Sequence, residues 1–484
     1  MNTINLSLVS HTNTGKTTLA RSLLGRDVGE IRDEAHVTAV AERYRMVDTG
    51  NEALDLWDTP GFGDSTRLAR RLALQGNPVG WFLSEVWDRW RDRPLWSSQQ
   101  ALRNVRDVAD VVLYLVNATE KPGDAGYVKP EMEILAWIGK PVLVLLNQLG
   151  EPHPDAQDKA DEEAWRAHLA AYPFVRHVMP LDAFARCWIQ ELALLDAIAR
   201  ILPTTQQDTM KPLRAAWQQR RMDEFGIAMK ILTRFLAEAA QDTETLPDEG
   251  LGGTLRTLGH AMGIGRRDAP SPREEAMTRL AERLETAIRR STDQLIETHG
   301  LGGRAASEVL ARLGEDFTAR ERLHAGKAAL LGGAVSGALS GLATDLATGG
   351  LSLGAGLVGG TVLGALGSAG LATGVNLIRR SDHSRLEWSP ESLERLMAST
   401  LLRYLSVAHY GRGRGEWRQS GTPGHWQEAL EGVLEPINPR LPGLWKALRN
   451  SSLQEQASSD LETLLHDTTL RLLNILYPVK LILD

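Results

Sequence analysis

The chain has 484 residues, a formal net charge of -7 and one cysteine, Cys187. At about 150 residues per domain, this length predicts roughly two to four domains rather than one compact core. The charge gives no general attraction to nucleic acid, and one cysteine excludes an internal disulfide framework and suits a reducing cytoplasm. The first residues lack a secretory signal pattern, so we expect a cytosolic protein in which Cys187 packs at the start of a helix.

A strand, a loop and a helix are predicted at the start of the chain. Apolar residues favour a strand over residues 4–9, and leucines at helical spacing favour a helix over residues 19–25. The loop between them ends in Gly15-Lys16-Thr17, as in the GxxxxGKS/T pattern of phosphate-binding loops. The strand and helix on either side are the context in which this pattern is informative.

The residue types of this loop predict how it would bind a nucleoside triphosphate. Backbone amides, including those of Thr14 and Thr18, wrap the phosphates, and Lys16 reaches the outer ones. The hydroxyl of Thr17 is the expected ligand of Mg²⁺. Ser10 stands where the pattern has its first glycine.

A hairpin and a second phosphate-sensing segment follow. Residues 43–47 and 54–57 predict two strands joined by a turn-forming run, and Asp58-Thr59-Pro60-Gly61 comes directly after the second strand. An aspartate at a strand end with a glycine three residues later is how P-loop GTPases couple Mg²⁺ to the γ-phosphate. Asp58 is therefore predicted to hold the ion through water, and the amide of Gly61 to face the phosphate.

Two continuous apolar runs, residues 111–116 and 141–146, predict central parallel strands that are covered on both faces. The expected fold of residues 1–203 is therefore an α/β P-loop GTPase domain with a mostly parallel sheet and helices on both faces. A mainly α-helical region is predicted to follow it.

With these motifs in order, residues 1–203 resemble bacterial GTPases of the Era and TrmE type. The resemblance implies GTP binding and hydrolysis with Mg²⁺. It implies that Thr38, between the first helix and the second strand, joins the magnesium shell and serves catalysis together with Lys16 and Gly61. It also implies a K⁺ ion held by Asn13, although a loop asparagine that only bonds the backbone fits the sequence equally well.

Two positions depart from the usual GTPase pattern. Phe62 follows Gly61, where Ras-like enzymes have the glutamine that orients the attacking water, so slow intrinsic hydrolysis is expected. The base-reading motif is Asn147-Gln148-Leu149-Gly150, in which Gly150 lacks the carboxylate that selects guanine. The motif itself therefore does not decide between guanine and adenine as the bound base. GTP is implied by the resemblance. Asp182-Ala183 is the candidate turn under the base.

An insertion at residues 64–105 lengthens the segment after Gly61. It carries Trp81, Trp87, Trp90 and Trp96, at spacings that could place the rings on one side of a helix. Two interpretations stay open: a helical lid that packs on the GTPase core, and an interfacial or partner-binding surface.

The C-terminal part is predicted to contain helical regions at 204–326 and 381–484. Ser271-Pro272 and Ser389-Pro390 are typical helix starts, because serine caps a helix and proline fits its first position. A last helix is predicted over residues 461–476.

Residues 327–380 predict a Gly-rich apolar hairpin, or glycine zipper. The stretch 328–378 has one charge, Asp345, and glycines recur at four-residue spacing. The predicted legs are 328–344 and 355–378, with basic residues at both outer ends, which places these ends on the cytosolic side of a membrane. A buried soluble hairpin is the alternative. The order of a GTPase domain, helices and a Gly-rich apolar hairpin resembles a bacterial GTPase family with a C-terminal domain of unknown function.

The leading functional hypothesis is a nucleotide-switched GTPase that binds GTP and GDP. It is expected in the cytoplasm, peripheral to or hairpin-anchored at the inner membrane, with a membrane or membrane protein as partner and no nucleic acid. A homodimer is left open. The alternatives are a ribosome- or RNA-linked assembly GTPase and a nucleotide-binding module with little catalysis.

Overall fold

The computed structural model describes residues 2–11, 14–25, 41–73, 88–147, 155–181, 187–246, 272–300, 375–379, 384–409 and 424–477. The chain divides into two compact units. The first is built mainly from Met1–Asp223 and the second mainly from Glu224–Val407 and Gly421–Pro478. The division falls inside one long helix, so the two units are connected by continuous backbone.

The first unit is organised around a six-stranded sheet. Its strands are β1 (Asn2–Ser10), β2 (Glu42–Asp48), β3 (Glu52–Asp58), β4 (Val111–Asn117), β5 (Val142–Asn147) and β6 (Val175–Pro180). The strand order is β2-β3-β1-β4-β5-β6, and every neighbouring pair is parallel except β2 with β3. The predicted hairpin and the predicted mostly parallel sheet are both confirmed.

The helices of this unit cover the sheet. They are α1 (Lys16–Leu24), α2 (Ser65–Ala73), α3 (Asp88–Arg91), α4 (Arg93–Val108), α5 (Val128–Ile138), α6 (Asp155–Leu169), α7 (Trp188–Ile201) and α8 (Thr204–Gln241), the last of which continues into the second unit. Every side chain from Val111 to Val116 has no exposed surface. Because successive strand residues point to opposite faces, β4 is covered on both faces, as its continuous apolar sequence predicts. Cys187 is buried directly before α7, as expected.

The parallel arrangement brings the ends of several strands together. β1, β3, β4 and β5 run in the same direction, so their carboxyl ends meet at one edge of the sheet. Ser10, Asp58, Asn117 and Asn147 are the last residues of these strands. Ligands of open α/β sheets bind outside this edge, so a ligand-binding site is expected there.

The insertion after Gly61 is helical where the structure describes it, but its tryptophans do not share a helix. Trp90 lies in α3 and is 83% exposed, whereas Trp96 lies in α4 and is half-buried. Asp92 ends the continuity, because its side chain accepts a hydrogen bond from the amide of Leu95 at 3.2 Å and caps α4. The prediction that the rings lie on one side of a single helix is therefore wrong for Trp90 and Trp96. Trp81 and Trp87 lie outside the described residues.

The second unit is mainly helical, as predicted, with a small sheet that the sequence did not predict. Its further helices are α9 (Pro272–Thr298), α10 (Pro390–His409), α11 (Gly424–Leu434), α12 (Leu441–Leu448) and α13 (Gln454–Leu476), with a 3₁₀ turn at Asn438–Arg440. β7 (Thr243–Leu246), β8 (Val375–Arg379) and β9 (Ser384–Trp388) form an antiparallel sheet in the order β7-β9-β8. The predicted starts of α9 and α10 are confirmed, and the last helix begins at Gln454 rather than Leu461.

One buried cation lies among three helices of the second unit. Arg403 of α10 is 2% exposed, and its Nη1 donates to the carbonyl of Ile288 at 3.1 Å and to the hydroxyl of Thr292 at 2.9 Å. Its guanidinium also lies over the ring of Phe235, 4.8 Å from the centroid. Nε and Nη2 are buried and have no hydrogen-bond partner among the described residues. Burial lowers the pKa of Arg403 to about 9.

The predicted Gly-rich hairpin lies outside the described residues except at its end. Residues 375–378, assigned to the second leg, belong to strand β8, which pairs with β9. The assignment of residues 375–378 to a leg of the hairpin is therefore wrong. Within the described ranges, no helix has the length and apolar character needed to cross a bilayer.

Candidate nucleotide-binding site

The turn from β1 into α1 depends on the backbone of Gly15. This residue is the N-cap of α1 and has φ 89° and ψ 23°, a left-handed conformation that favours glycine. A Cβ at this position would lie 2.7 Å from Nδ2 of Asn147. The glycine of the phosphate-loop pattern is thus required both by its backbone conformation and by a close neighbour.

Lys16 is held inside the loop. Its side chain is buried, and Nζ donates to Oγ of Ser10 at 2.9 Å and lies 3.3 Å from the carbonyl oxygen of His11. Burial lowers the pKa of Lys16, whereas the carboxyl groups of Asp58 and Glu131 raise it. Ser10, which replaces the first glycine of the pattern, therefore supplies an oxygen to this lysine.

Thr17 and Asp58, the two magnesium ligands that the sequence predicts here, contact each other. The Thr17 hydroxyl donates to Oδ2 of Asp58 at 2.7 Å. Asp58 is 2% exposed, and its Oδ1 is buried with no hydrogen-bond partner among the described residues. Burial raises the pKa of Asp58, while Lys16 and the Thr17 hydroxyl lower it. An orphaned carboxylate oxygen beside a threonine hydroxyl fits Mg²⁺, which takes one or two protein oxygens together with substrate phosphates and water.

No cluster of three or more His, Cys, Asp or Glu side chains with metal-binding geometry occurs in the part of the chain that the structure describes.

The segment after Asp58 is tied to the end of β1. The amide of Phe62 donates to the carbonyl of Ser10 at 3.0 Å, and the Thr59 hydroxyl donates to the carbonyl of Leu8. The Phe62 side chain is 2% exposed and lies against Tyr114, with ring centroids 6.4 Å apart. Phe62 thus fills the core and presents no polar group to the site. Gly61 is buried immediately before it.

Asn147 connects the end of β5 to the phosphate loop. It has no exposed surface, and its Nδ2 donates to the carbonyl of Thr14 at 2.6 Å. This contact ties the end of β5 to the phosphate loop, and the predicted contact of Asn147 with a base stays a prediction. Thr14 also donates its hydroxyl to the carbonyl of His11 at 3.0 Å.

The structure brings together nine of the residues discussed above at the edge of the sheet: Ser10, Thr14, Gly15, Lys16, Thr17, Thr18, Asp58, Gly61 and Asn147. Six other positions lie outside the described residues, and their roles stay predictions: Asn13, Thr38, Gln148, Gly150, Asp182 and Ala183. The phosphate and magnesium parts of the site are therefore described, and the base part is represented by Asn147.

Sequence reasoning missed four residues beside the loop: His11, Tyr114, Tyr127 and Glu131. His11 lies inside the phosphate-loop pattern, at a position that the pattern leaves unspecified. Glu131 is the acidic residue on the buried face of α5, between Val128 and Leu135. An acidic residue at an apolar-face position of a predicted helix is the signal that would have identified it.

The strand, phosphate loop, helix and Asp58-Thr59-Pro60-Gly61 segment define a P-loop GTPase domain. In agreement, residues 5–148 match the family model described as 50S ribosome-binding GTPase. Residues 166–471 match the model described as Domain of unknown function (DUF3482). Because the second match covers more than half of the chain, the chain belongs to the DUF3482 family. This confirms the predicted combination of a GTPase domain with a C-terminal domain of unknown function.

The solved structures that the chain matches include several GTPases. Era in complex with MgGDPNP and a segment of 16S ribosomal RNA is 22% identical, with a TM-score of 0.30, 42% of this chain covered and 58% of that chain. A variant of Aquifex aeolicus Era bound to GDP.AlF4- is 18% identical, with a TM-score of 0.30 and coverage of 62% and 99%. A probable GTP-binding protein, engB, is 16% identical, with a TM-score of 0.24 and coverage of 37% and 88%. No curated protein matches the chain.

Proposed function

We propose that the chain is a GTP-dependent molecular switch with slow intrinsic hydrolysis, whose nucleotide state controls the C-terminal region. The observation that supports it most directly is the contact between the Thr17 hydroxyl and Asp58 at 2.7 Å, next to the buried amine of Lys16. These three groups are the ones that a P-loop GTPase needs for Mg²⁺ and the outer phosphates.

Each residue has a defined task in this proposal. Backbone amides from Thr14 to Thr18 wrap the phosphates, and Lys16 exchanges its bond to Ser10 Oγ for phosphate oxygens. Thr17 and Asp58 would hold Mg²⁺, which supplies positive charge to the β- and γ-phosphate oxygens. The resemblance to Era and TrmE adds Thr38 to this shell and K⁺ beside Asn13.

Slow hydrolysis follows from the residue after Gly61. Phe62 is 2% exposed and packs in the core, so it has neither the chemistry nor the position to orient water. Backbone groups, K⁺ or a partner would have to position the nucleophile. We therefore expect a low turnover that K⁺ stimulates and Na⁺ does not.

Competition among GTP, ATP and their diphosphates for the purified full chain tests the nucleotide assignment. Lys16→Ala serves as the blank, because it removes the phosphate-binding amine. GTP is expected to outcompete ATP although Gly150 cannot provide the usual carboxylate. Equal affinities would refute guanine selectivity.

Asn13→Ala should abolish the K⁺ stimulation of hydrolysis while GDP binding persists. Retained stimulation would refute the role proposed for Asn13.

Membrane association of the switch is a further part of the proposal, supported by the glycine ladders of residues 328–378 and by the basic residues that flank them. Sedimentation with liposomes in the GDP and GTP-analogue states tests it. Gly360→Asp should reduce binding, because a charge in the ladder opposes burial in lipid. Gly123→Asp is the matched control, since Gly123 is exposed with open space around its Cα. Failure of the chain to sediment with liposomes in either nucleotide state would refute membrane association.

A ribosome-linked role is the second candidate, favoured by the description of the family matched by residues 5–148. It predicts co-sedimentation with ribosomes that weakens steeply with salt, because phosphate contacts release counterions. The net charge of -7 argues against a general affinity for RNA. Nucleotide-dependent sedimentation with ribosomes, but not with liposomes, would favour this candidate over the membrane switch.

A further inference from the structure

A partly buried polar cluster joins the phosphate loop to β4 and α5. Glu131 has no exposed surface, and its Oε1 lies 2.7 Å from Nδ1 of His11. Its Oε2 accepts a hydrogen bond from the hydroxyl of Tyr114 at 2.6 Å. The His11 ring is stacked on Tyr127, with centroids 4.7 Å apart and an interplanar angle of 22°. The side chain of His11 is therefore fixed on two sides, by a carboxyl group and by an aromatic face.

The main chain of the same histidine organises the loop. The carbonyl oxygen of His11 accepts hydrogen bonds from Oγ of Ser10 at 2.6 Å and from the hydroxyl of Thr14 at 3.0 Å, and it lies 3.3 Å from Nζ of Lys16. Side chain and carbonyl belong to one residue, so holding the imidazole restricts the orientation of the carbonyl. The carbonyl that contacts the phosphate-binding lysine therefore belongs to the residue whose imidazole the cluster holds.

We propose that His11 is a positioning residue for the nucleotide phosphates, fixed by Glu131 and Tyr127, and that it acts through its own carbonyl on Lys16. The inference rests on the proposed nucleotide binding and adds a residue that the phosphate-loop pattern does not specify. Its physical basis is preorganisation: a loop that is ordered before the ligand arrives loses less conformational entropy on binding.

The alternative is that the cluster only stabilises the fold. Burial and hydrogen bonding of Glu131 contribute to either role, so an unfolding measurement alone does not distinguish them. The two roles differ in the nucleotide affinity of the folded protein. Substitution of a positioning residue changes this affinity. Substitution of Glu131, which holds His11, should have no further effect once His11 itself has been replaced.

The test measures the dissociation constant, the association rate and the dissociation rate for GDP with the full chain. His11→Ala is expected to weaken GDP binding about tenfold, equivalent to about 1.4 kcal/mol. In GTP hydrolysis the loss should fall on KM rather than on kcat, because no group that contacts the reacting atoms is changed. His11→Gln should recover much of the affinity, since its amide can donate to Glu131. His168→Ala is the matched control, because His168 is exposed on α6.

A double-mutant cycle with Glu131→Leu supplies the second measurement. If Glu131 acts through His11, the double variant binds GDP no more weakly than His11→Ala alone. Additive losses, or a GDP affinity for His11→Ala within twofold of wild type, would overturn the inference. If Glu131→Leu fails to fold, Tyr127→Ala takes its place in the cycle, with the same expected non-additivity. Wild-type protein that binds no guanine nucleotide would instead refute the proposed function.

Discussion

Substitution of Gly15 by alanine tests how closely the phosphate loop packs against Asn147 at the end of β5. The new Cβ would lie 2.7 Å from Nδ2 of Asn147, closer than such contacts allow, and the residue has φ 89°. Asn147 can move aside only by giving up its 2.6 Å hydrogen bond to the carbonyl of Thr14. Gly15→Ala therefore carries two costs, one in its own backbone and one in its neighbour.

The free-energy costs of Gly15→Ala and Asn147→Ala are expected to be non-additive in the double variant. Left-handed backbone costs a non-glycine residue about 1–2 kcal/mol, and the lost buried hydrogen bond costs about 1–3 kcal/mol, so Gly15→Ala should cost about 2–5 kcal/mol. Asn147→Ala removes this hydrogen bond, whose loss alone should cost about 1–3 kcal/mol. The double variant loses that bond once, and it should therefore cost about 2–5 kcal/mol rather than the additive sum of about 3–8 kcal/mol.

Titration with a fluorescent GDP analogue measures these costs, because the loop has to adopt the left-handed conformation when its amides wrap the phosphates. Each 1.4 kcal/mol is a tenfold change in the dissociation constant. Gly123→Ala is the matched control, since a Cβ there meets nothing within 4 Å. Additive losses in the double variant would refute the reasoning, because they would mean that the new methyl group does not displace Asn147.

Three further variants test other parts of the structure. Asp58→Asn should weaken Mg²⁺-dependent GDP affinity, measured with and without EDTA. It should also raise the free energy of unfolding at neutral pH, because burial raises the pKa of Asp58 above 3.8 and its ionisation destabilises the fold. That gain should vanish in urea titrations below pH 3.8, where the carboxyl is protonated in both states. Phe62→Gln should lower the free energy of unfolding by about 2–4 kcal/mol without raising single-turnover GTP hydrolysis, because the side chain points into the core. Arg403→Met should raise the free energy of unfolding by about 1–3 kcal/mol in urea, since it removes a buried cation without a carboxylate partner among the described residues. A large loss of stability would contradict this last expectation.

The parts of the fold that the sequence predicts are those with strong local signals. The apolar runs of β4 and β5 fit only strands buried on both faces, and Pro272 and Pro390 begin helices because proline fits the first turn. The phosphate loop and Asp58 were predicted because their chemistry fixes both residue type and position. Each of these signals is contained within one element.

The features that were missed depend on contacts between distant segments. Strand β7 pairs with β9 across more than a hundred residues, and its sequence, Thr243–Leu246, alternates no more clearly than a loop. Glu131 contacts His11, which lies 120 residues earlier in the chain. Asn147 contacts the loop carbonyl of Thr14, which lies 133 residues earlier in the chain, and its contact with a base stays a prediction. In each case the partner, rather than the local pattern, defines the role.

The buried position of Phe62 also limits where a nucleotide-driven movement can occur. Its amide bonds the carbonyl of Ser10, so the residue after Gly61 is fixed to the start of the phosphate loop. Removing its ring from the core would cost about 1.5–3 kcal/mol, which is as large as a typical coupling free energy between two sites. The next residue, Gly63, has φ 58°, a conformation that glycine leaves and enters at little cost. We therefore expect Phe62 to remain in place in both nucleotide states, and Gly63 to be the hinge between the Asp58–Gly61 segment and α2.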